Sequence, residues 1–321
     1  MAELLNVAKI WDAAPHNAFT DLVRFRGEWF CTFREADAHV PGWNGKTRVI
    51  ASDDAETWAS AALLEEHGVD LRDPKLSVTP DGRLMLVMGG SIYPGGEDEP
   101  GRKISTRQTR VAFSGDGRTW SPIRPILSET EWLWRVTWHR GVAYGVSRSP
   151  VGGAGQLGDR TSERVATLWR SDDGVEYERM PGSTAFGMTG YPNETTLRFD
   201  GDEMIALVRR ELDDKHARIG TSQPPYEDWT WHDAGGYIGG PNFIVLPDRT
   251  MWAGGRLAGR PDGPKTATGP MTRGGYSPEL VLPSGGDTSY PGFVWHADRL
   301  WVSYYSSHEE KTSIYLAVVR V

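Results

Sequence analysis

Residues 191–209 read YPNETTLRFDGDEMIALVR, and this stretch carries the pattern on which the fold prediction depends. Two half-polar, half-apolar runs are separated by an Asp-Gly dipeptide at 200–201, which is typical of a tight hairpin turn. The strands of a hairpin are antiparallel, so the first strand begins beside the point where the second one ends. The pattern therefore predicts a β-hairpin that places Glu194 beside Arg209 at one end.

The same strand–turn–strand unit occurs six times along the chain. Its turn residues, at positions 27, 82, 141, 202, 249 and 298, are 47 to 61 positions apart. A further strand-like run follows the hairpins, as in TRVIAS at 47–52. Repeats of about 40 to 50 residues with four strands are typical of propeller blades. We therefore predict an all-β, six-bladed β-propeller that forms a single domain over residues 1–321.

An open ring of blades would leave sheet edges unpaired, so a propeller needs a closing strand. The run NVAKIW near the N-terminus is predicted to join the last blade, whose final run is SIYLAVVRV at 313–321. One stretch has a helical pattern instead, WASAALLEEHG at 58–68. It is too short to indicate a second domain.

The composition excludes several classes of protein. The chain has 321 residues and a formal net charge of -8, which argues against a nucleic acid or an anionic membrane as partner. No apolar run reaches the roughly 18 residues of a membrane span. The single cysteine excludes an internal disulfide and a multi-cysteine metal site. The first residues lack a basic segment and a long apolar core, which predicts a cytoplasmic location, or a secreted or periplasmic one if a leader was removed.

Three third strands run into a shared turn, with the sequences SDDAETW (52–58), SGDGRTW (114–120) and SDDGVEY (171–177). In such turns the Ser and Asp side chains can accept hydrogen bonds from backbone N–H groups, and the aromatic ring packs beneath. We therefore expect these aspartates to be structural rather than catalytic.

The repeat also predicts which side chains meet at one rim. Second strands end at Arg34, Gly89, Arg148, Arg209, Arg256 and Tyr305, with Arg210 an alternative to Arg209. First strands begin near Asp21, Asp73, Arg135, Glu194, Asn242 and Tyr290. In a propeller these positions converge on the axis, where unpaired cations are costly. Two interpretations stay open: acidic neighbours pair with the arginines, or an anionic ligand such as a carboxylate completes the set.

The Ser-x-Asp turns, the six blades and the rim together resemble the sialidase (neuraminidase) superfamily over nearly the whole chain. In that family a glutamate begins one strand and an arginine ends the next, as in NETTLRFDGDEMIALVR, and a second arginine follows one blade later, as Arg256 does. A tyrosine opens the last blade, as in SYPGFVWHADRLWVSYY. The resemblance implies that Tyr290 is a nucleophile, that Glu194 is its base, and that Arg34, Arg209 and Arg256 bind a carboxylate.

The family's acid/base carboxylate lies in the loop after the first hairpin, here READAHVPGWNGK at 34–46. Asp37 matches it by position, and His39 could serve equally because an imidazole titrates near neutrality. Both could instead be ordinary loop residues. The sequence contains no phosphate loop or dinucleotide fingerprint, so no cofactor is expected, and the spacing of the histidines suggests no metal ligands.

One motif of the family is missing. Its first blade opens with Arg-Ile-Pro, whereas this chain has PHNAFTDL at 15–22. Arg148 and Arg135 are rim arginines that could take part in binding instead, together with Asn242 and Tyr305. The expected substrate is a carbohydrate with an acidic terminal sugar, either sialic acid or an altered one such as a uronic acid.

Two other activities remain open on the same scaffold. A lyase would use His39 or Tyr290 to abstract the proton next to an arginine-bound carboxylate, and a non-catalytic propeller would only bind glycans. Trp132, Trp134 and Trp138 could stack on a sugar or pack between blades.

Overall fold

The computed structural model describes residues 1–40, 43–94, 103–152, 157, 163–184 and 188–321, with the backbone alone at 182–184. Within these residues the chain forms 25 strands and no helix, arranged as six sheets. The innermost strands of neighbouring sheets contact one another around a ring, which makes the sheets the blades of a six-bladed propeller. The all-β, six-bladed fold predicted from the repeats is therefore confirmed.

The strands of each blade follow in chain order from the axis outward. Blade one contains β2 (His16–Phe25), β3 (Glu28–Ala36), β4 (Lys46–Ser52) and β5 (Ala59–Leu64); blade two contains β6 (Asp70–Val78), β7 (Leu84–Ile92), β8 (Thr106–Ser114) and β9 (Arg124–Ile126). Blade three contains β10 (Trp132–His139), β11 (Val142–Pro150), β12 (Arg164–Ser171) and β13 (Glu178–Thr184); blade four contains β14 (Pro192–Asp200), β15 (Glu203–Arg210), β16 (Arg218–Ser222) and β17 (Thr230–Asp233). Blade five contains β18 (Gly239–Val245), β19 (Met251–Leu257), β20 (Lys265–Thr272), β21 (Gly275–Tyr276) and the short β22 (Leu280–Val281), which also pairs with β20.

Blade six joins the two ends of the chain. It consists of β23 (Thr288–His296), β24 (Arg299–Ser306), β25 (Ser313–Arg320) and, outermost, β1 (Glu3–Trp11). β1 pairs antiparallel with β25, from Glu3 opposite Arg320 to Trp11 opposite Ile314. The predicted closing strand is thus present, and it covers the edge that β25 would otherwise expose.

Every inner strand carries a β-bulge at the same place, close to its beginning. Two residues of the inner strand there face one residue of the second strand, at positions 19–20, 73–74, 134–135, 193–194, 240–241 and 290–291. The first bulge residue has a left-handed backbone at Phe19 (φ 70°), Asp73 (φ 51°) and Tyr290 (φ 56°). This conformation is uncommon for residues other than glycine. A bulge bends a strand and changes the direction of its side chains, so it decides what faces the axis.

The bulges also correct the rim alignment made from turn distances. Arg34 lies opposite the residue that precedes the bulge, and by register the equivalent positions in blades three and four are Ser147 and Arg210. The equivalence of Arg148 and Arg209 with Arg34 was therefore wrong by one residue. The reason is that strands of equal length after a turn need not keep the same register next to a bulge.

The Ser-x-Asp turns make the backbone hydrogen bonds expected of them. In the first, Asp54 Oδ1 accepts from the N–H groups of Glu56 and Thr57 (both 2.8 Å), and Ser52 Oγ accepts from Ala55 N (2.8 Å). The other two turns repeat this arrangement through Asp116 and Asp173. These carboxylates therefore stabilise the turns between the third and fourth strands of their blades.

The stretch 58–68 is not helical. Its first part is β5, the outer strand of blade one, which pairs with β4 from Leu64 opposite Thr47 to Ala59 opposite Ala51. The residues whose spacing favours a helix form a strand instead, and this strand covers the outer edge of β4. Tertiary pairing has overridden a weak local preference.

Apolar side chains fill the spaces between adjacent blades. Blades one and two, for example, share a cluster that includes Phe30, Leu71, Leu84 and Leu86, each at most 1% exposed. Because β-sheets pack face to face through such clusters, the blades hold their inner strands in fixed positions around the axis. In the part of the chain that the structure describes, no helix is long and apolar enough to cross a membrane.

Candidate active site at the propeller axis

Blades four and six bring a tyrosine and a glutamate together at the axis. The Tyr290 hydroxyl, on the bulge of β23, donates a hydrogen bond to Glu194 Oε1 (2.9 Å), on the bulge of β14. Arg209 Nη1 donates to both oxygens of the Glu194 carboxylate, at 3.0 and 2.8 Å. The structure thus places the predicted Tyr–Glu pair in contact, although the two residues are far apart in sequence.

Arg209 rather than Arg210 faces this pair. Arg209 also forms an ion pair with Glu211 (2.6 Å) and lies over the ring of Tyr237. Arg210 points to the other side of the strand, where it pairs with Asp213 and Asp214. Adjacent residues of a strand face opposite sides of the sheet, so only one of them can reach the axis.

The two partners have opposite pKa shifts. Burial and the negative charges of Glu194 and Asp73 raise the pKa of Tyr290 well above its ordinary value. Burial alone would also raise the pKa of Glu194, but the positive charges of Arg209 and Arg148 outweigh it and hold that pKa below its usual range. The pair therefore consists of a neutral phenol donating to an ionised carboxylate.

A second group lies beside the tyrosine, built from blades one and six. His39 Nδ1 (2.6 Å) and His16 Nε2 (3.0 Å) both contact Asp287 Oδ2, and the Tyr305 hydroxyl donates to Asp287 Oδ1 (2.9 Å). The His39 ring packs edge-on against Phe19 (5.0 Å between centroids), which packs in the same way against Tyr290 (5.1 Å). The sequence alone did not predict that His16, His39 and Asp287 lie together.

Burial and hydrogen bonding shift the pKa values of Asp287 and His16 in this group. Despite burial, the hydrogen bonds from His16 and His39 hold the pKa of Asp287 below its usual range. Burial lowers the pKa of His16, which is 6% exposed. His39 has about half of its side chain exposed, so it lies at the mouth of the site.

The donor atoms of His16, His39 and Asp287 lie within 4.8 Å of one another, so this set has the chemistry to hold a divalent cation. Asp214, His216 and Asp233 form a similar, more exposed set in blade four.

Asp73 contributes a further carboxyl group to the site. Its side chain is 4% exposed, and its Oδ1 atom has no hydrogen-bond partner within the described residues. Burial raises its pKa, and the charge of Glu194 acts in the same direction. Burial favours the neutral form of this carboxyl group, whereas the charges of Arg72 and Lys75 favour the ionised form.

Several of the predicted binding residues support the site from outside it. Arg34 is 1% exposed, and its Nε atom donates to Asp70 Oδ1 (2.7 Å). Arg135 pairs with the buried Asp21 (2.7 Å), and Asn242 donates to the backbone oxygen of Pro291 (2.8 Å). The contacts of Arg34 and Asn242 connect neighbouring blades, and the pair of Arg135 with Asp21 connects blades three and one across the axis.

The candidate acid Asp37 has a structural contact as well. Its Oδ1 atom accepts a hydrogen bond from Trp43 N (2.7 Å), so it closes the loop that carries His39. Of the two acid candidates in that loop, His39 is the one that contacts the rest of the cluster.

Two of the predicted arginines differ from Arg34 and Arg209. Neither Arg148 nor Arg256 forms an ion pair with a carboxylate in the described part of the chain. Arg256 Nη1 donates to the Thr288 carbonyl (3.4 Å) and its Nη2 to the Tyr237 hydroxyl (3.5 Å), both weak contacts with neutral groups. The charges of both arginines act on Glu194 and lower its pKa, but neither guanidinium group contacts a carboxylate directly in that part of the chain.

A separate surface depression of about 670 Å³ lies on the outer edge of blade six. It is lined by Lys9, Asp12 and Glu309, and Lys9 is ion-paired with both carboxylates (3.5 and 3.0 Å). These exposed groups satisfy one another, so the depression lacks the uncompensated charge found at the axis.

Sequence comparison does not assign this chain to a family: no family model matches it, and no curated protein sequence resembles it. Solved structures do resemble it. A protein of unknown function from Dyadobacter fermentans superimposes with a TM-score of 0.82 at 17% identity, covering 100% of this chain and 99% of its own.

Two enzymes show the same architecture. The Trypanosoma rangeli sialidase in complex with the inhibitor DANA matches with a TM-score of 0.68 at 13% identity; 95% of this chain is covered, but only 55% of the sialidase chain. The α-L-arabinofuranosidase Arb93A from Fusarium graminearum, in complex with an iminosugar inhibitor, has a TM-score of 0.69 at 13% identity and covers 99% and 98% of the two chains. These likenesses show a sialidase-like six-bladed propeller fold.

Proposed function

We propose that this protein is a glycoside hydrolase that removes a terminal acidic sugar. The observation that carries the proposal is the buried contact between the Tyr290 hydroxyl and Glu194 (2.9 Å), with Arg209 on the far side of the carboxylate. A phenol aimed at a carboxylate in this way has a route for its proton, which a neutral phenol needs in order to act as a nucleophile. Glycosidases with a tyrosine nucleophile are known among sialidases, and the likeness in fold supports the same assignment here.

The first step forms a bond between the Tyr290 oxygen and the anomeric carbon and breaks the bond to the leaving oxygen. The phenol proton passes to Glu194 while this bond forms. Because Arg209 keeps Glu194 ionised, the carboxylate is a weak base for a free phenol. Proton transfer must therefore accompany the attack, when the phenol becomes a stronger acid.

The leaving oxygen receives a proton from His39 in its protonated form. We assign this role to His39 because it lies at the mouth of the site, where the rest of the glycan must leave, and because Asp287 holds its ring. In the second step His39 accepts a proton from water and the water oxygen bonds to the anomeric carbon while the bond between that carbon and the Tyr290 oxygen breaks, and Glu194 returns its proton to the released Tyr290 oxygen. Asp73, whose Oδ1 atom has no partner within the described residues, would form a hydrogen bond with a hydroxyl of the bound sugar.

The acidic nature of the sugar is supported by the charges that the protein leaves uncompensated. Arg256 has only neutral partners, and it lies close enough to Glu194 to lower the pKa of that carboxyl. A planar carboxylate matches the fork of a guanidinium group. Arg209 and Arg256 would bind the substrate carboxylate between them, with Arg34 holding Asp70 and the surrounding backbone in place.

The test is hydrolysis of chromogenic glycosides of sialic acid, glucuronic acid and, as a neutral sugar, arabinofuranose. Tyr290→Phe should lower turnover of the acidic substrate about a thousandfold or more. Tyr304→Phe is the matched control, since Tyr304 is also buried and its hydroxyl donates one hydrogen bond, to Pro283 O (2.8 Å) outside the site. Full activity in Tyr290→Phe would exclude the proposed nucleophile.

An elimination reaction is the second candidate, and the exposed His39 supports it. An arginine-bound carboxylate acidifies the neighbouring C–H group, His39 would take that proton, and the leaving oxygen would receive one from Tyr290. The product then carries a carbon–carbon double bond that absorbs ultraviolet light, whereas hydrolysis yields none. A propeller that only binds glycans would give neither product, and Glu194→Gln would alter only its affinity.

A further inference from the structure

Two more arginines lie together on blades two and three, outside the Tyr–Glu pair. Arg107, on β8, and Arg148, on β11, both lie over the ring of Trp132, with their guanidinium carbons 4.1 and 4.8 Å from its centroid. Trp132 begins β10 and is 5% exposed. Cation–π contacts of this kind hold a guanidinium group in place without neutralising its charge.

The tryptophan is placed there by a glycine. At Gly89 a Cβ atom would lie 2.5 Å from an atom of the Trp132 ring, which no side chain tolerates. The indole can therefore lie against the backbone of β7 only because residue 89 has no side chain. Blade two, through Gly89, and blade three, through Trp132, therefore both contribute to the surface on which the two arginines lie.

Neither cation forms an ion pair with a carboxylate within the described residues. Arg148 makes no hydrogen bond and no ion pair there, and Arg107 makes one hydrogen bond to a neutral group, Ser91 Oγ (3.3 Å). Burial lowers the pKa of Arg107 to about 9, and repulsion from Arg148 is the next contribution. Two adjacent like charges with free N–H donors are unfavourable unless an anion joins them.

This pair is connected to the proposed catalytic residues. The charge of Arg148 lowers the pKa of Glu194, second only to Arg209 among the neighbouring charges. The rings of Trp132, Trp134 and Tyr290 follow one another at centroid distances of 6.4 and 5.2 Å. These three rings, each at most 8% exposed, form a continuous row from the arginine pair to Tyr290.

We propose that Arg107 and Arg148 form a second anion-binding subsite, which recognises a carboxylate or sulfate ester elsewhere on the same glycan. The preferred substrate then carries two anionic groups, one at the arginines beside Glu194 and one over Trp132. This inference rests on the proposed function for the identity of the first group. The second group is recognised by guanidinium forks, which suit the oxygens of carboxylates and sulfates alike.

The experiment measures binding by calorimetry in the Tyr290→Phe background, so that turnover does not interfere. Three disaccharides are compared: one with a single terminal uronate, the same with an added sulfate ester, and the same with a second carboxylate. We expect the second anion to tighten binding about tenfold or more. The more strongly favoured of the two dianionic compounds identifies the chemical source of the group.

Arg107→Gln should remove most of this gain while leaving the affinity for the single uronate within about twofold. Arg148→Gln should remove the gain as well, and because the charge of Arg148 also acts on Glu194, its effect is measured as the ratio of the dianionic to the monoanionic affinity. Arg148→Lys and Arg107→Lys keep the positive charge and should recover part of the gain in affinity. Such recovery would show that the loss in the Gln variants is not caused by misfolding. Arg170→Gln, an exposed arginine on β12 of the same blade, controls for net charge and should retain the full gain.

The inference is overturned if the second anion gives no gain, if Arg170→Gln loses the gain equally, or if none of the disaccharides binds. Its failure can be told apart from that of the proposed function. If the gain in affinity depends on Arg107 and Arg148 but the wild-type protein cleaves none of the substrates, the subsite is retained and the hydrolase is rejected. Cleavage with no gain retains the hydrolase and rejects the subsite.

Discussion

The buried charge cluster of Arg34, Asp70 and Arg72 offers a direct test of how the axis is held together. Asp70 Oδ1 accepts hydrogen bonds from Arg34 Nε and Gly45 N, both at 2.7 Å, and Asp70 Oδ2 accepts from Arg72 Nη1 at 3.2 Å. All three charged side chains are at most 7% exposed. One carboxylate therefore serves two buried cations.

Asp70→Asn keeps the shape of this cluster and removes its only negative charge. Breaking a buried ion pair by removing one partner costs about 3 to 5 kcal/mol of folding free energy, because it leaves buried charge uncompensated. Here two guanidinium groups lose their partner, so we expect a destabilisation within that range. The control is Asp81→Asn, which breaks an exposed pair with Arg83 of the same length (2.7 Å) and should barely change stability.

The assay is urea unfolding followed by tryptophan fluorescence, repeated from pH 7 to pH 3. Burial alone would raise the pKa of Asp70, but Arg34 and Arg72 hold it below its usual range. A carboxyl whose pKa is lower in the folded state stabilises the protein above its unfolded pKa, about 3.9, and loses this contribution as the pH falls further. The gap between wild type and Asp70→Asn should therefore narrow below about pH 4. An unfolding midpoint of Asp70→Asn equal to that of Asp81→Asn at pH 7 would refute the reasoning.

Three further predictions follow from the fold. Deleting residues 1–11 should lower the melting temperature and cause self-association on a sizing column with light scattering, because it exposes the edge of the last blade; a fully monomeric, equally stable product would contradict this. Gly117→Ala should destabilise by about 2 to 4 kcal/mol in urea titrations, since Gly117 has φ +74° and a Cβ there would lie 2.2 Å from Phe30. Gly115→Ala, in the same turn with open space around it, should change little. Cys31 is fully buried and burial raises the pKa of its thiol, so Ellman's reagent should label it only as the chain unfolds; labelling of the folded protein would show an opening that the structure does not contain.

The architecture followed from local patterns. Alternating apolar residues, an Asp-Gly turn and a recurrent Ser-x-Asp turn are short-range signals. Six copies of the hairpin and three of the Ser-x-Asp turn were sufficient to predict the blades and the closing strand. The contact between Glu194 and Arg209 was also predictable, because a hairpin brings its two ends together. These features depend on residues that are close in sequence.

The details of the site depended on tertiary structure. The bulges of the inner strands shift the register beside the axis, so counting from the turns could not tell that Arg34 contacts Asp70 instead of joining the Tyr–Glu pair. A hydrophobic pattern sets which face of a strand is buried but carries no signal for an extra residue at its end.

Contacts between blades were also invisible in the sequence. Asp287 meets His16 and His39 across the closure of the ring, and Trp132 fits against Gly89 of the preceding blade. Each of these contacts joins segments of different blades, and their positions are set by how the sheets pack around the axis. The sequence by itself determined a ring of six blades with arginines near its centre; which charges are paired there, and which are left for a ligand, was decided only when the ring closed.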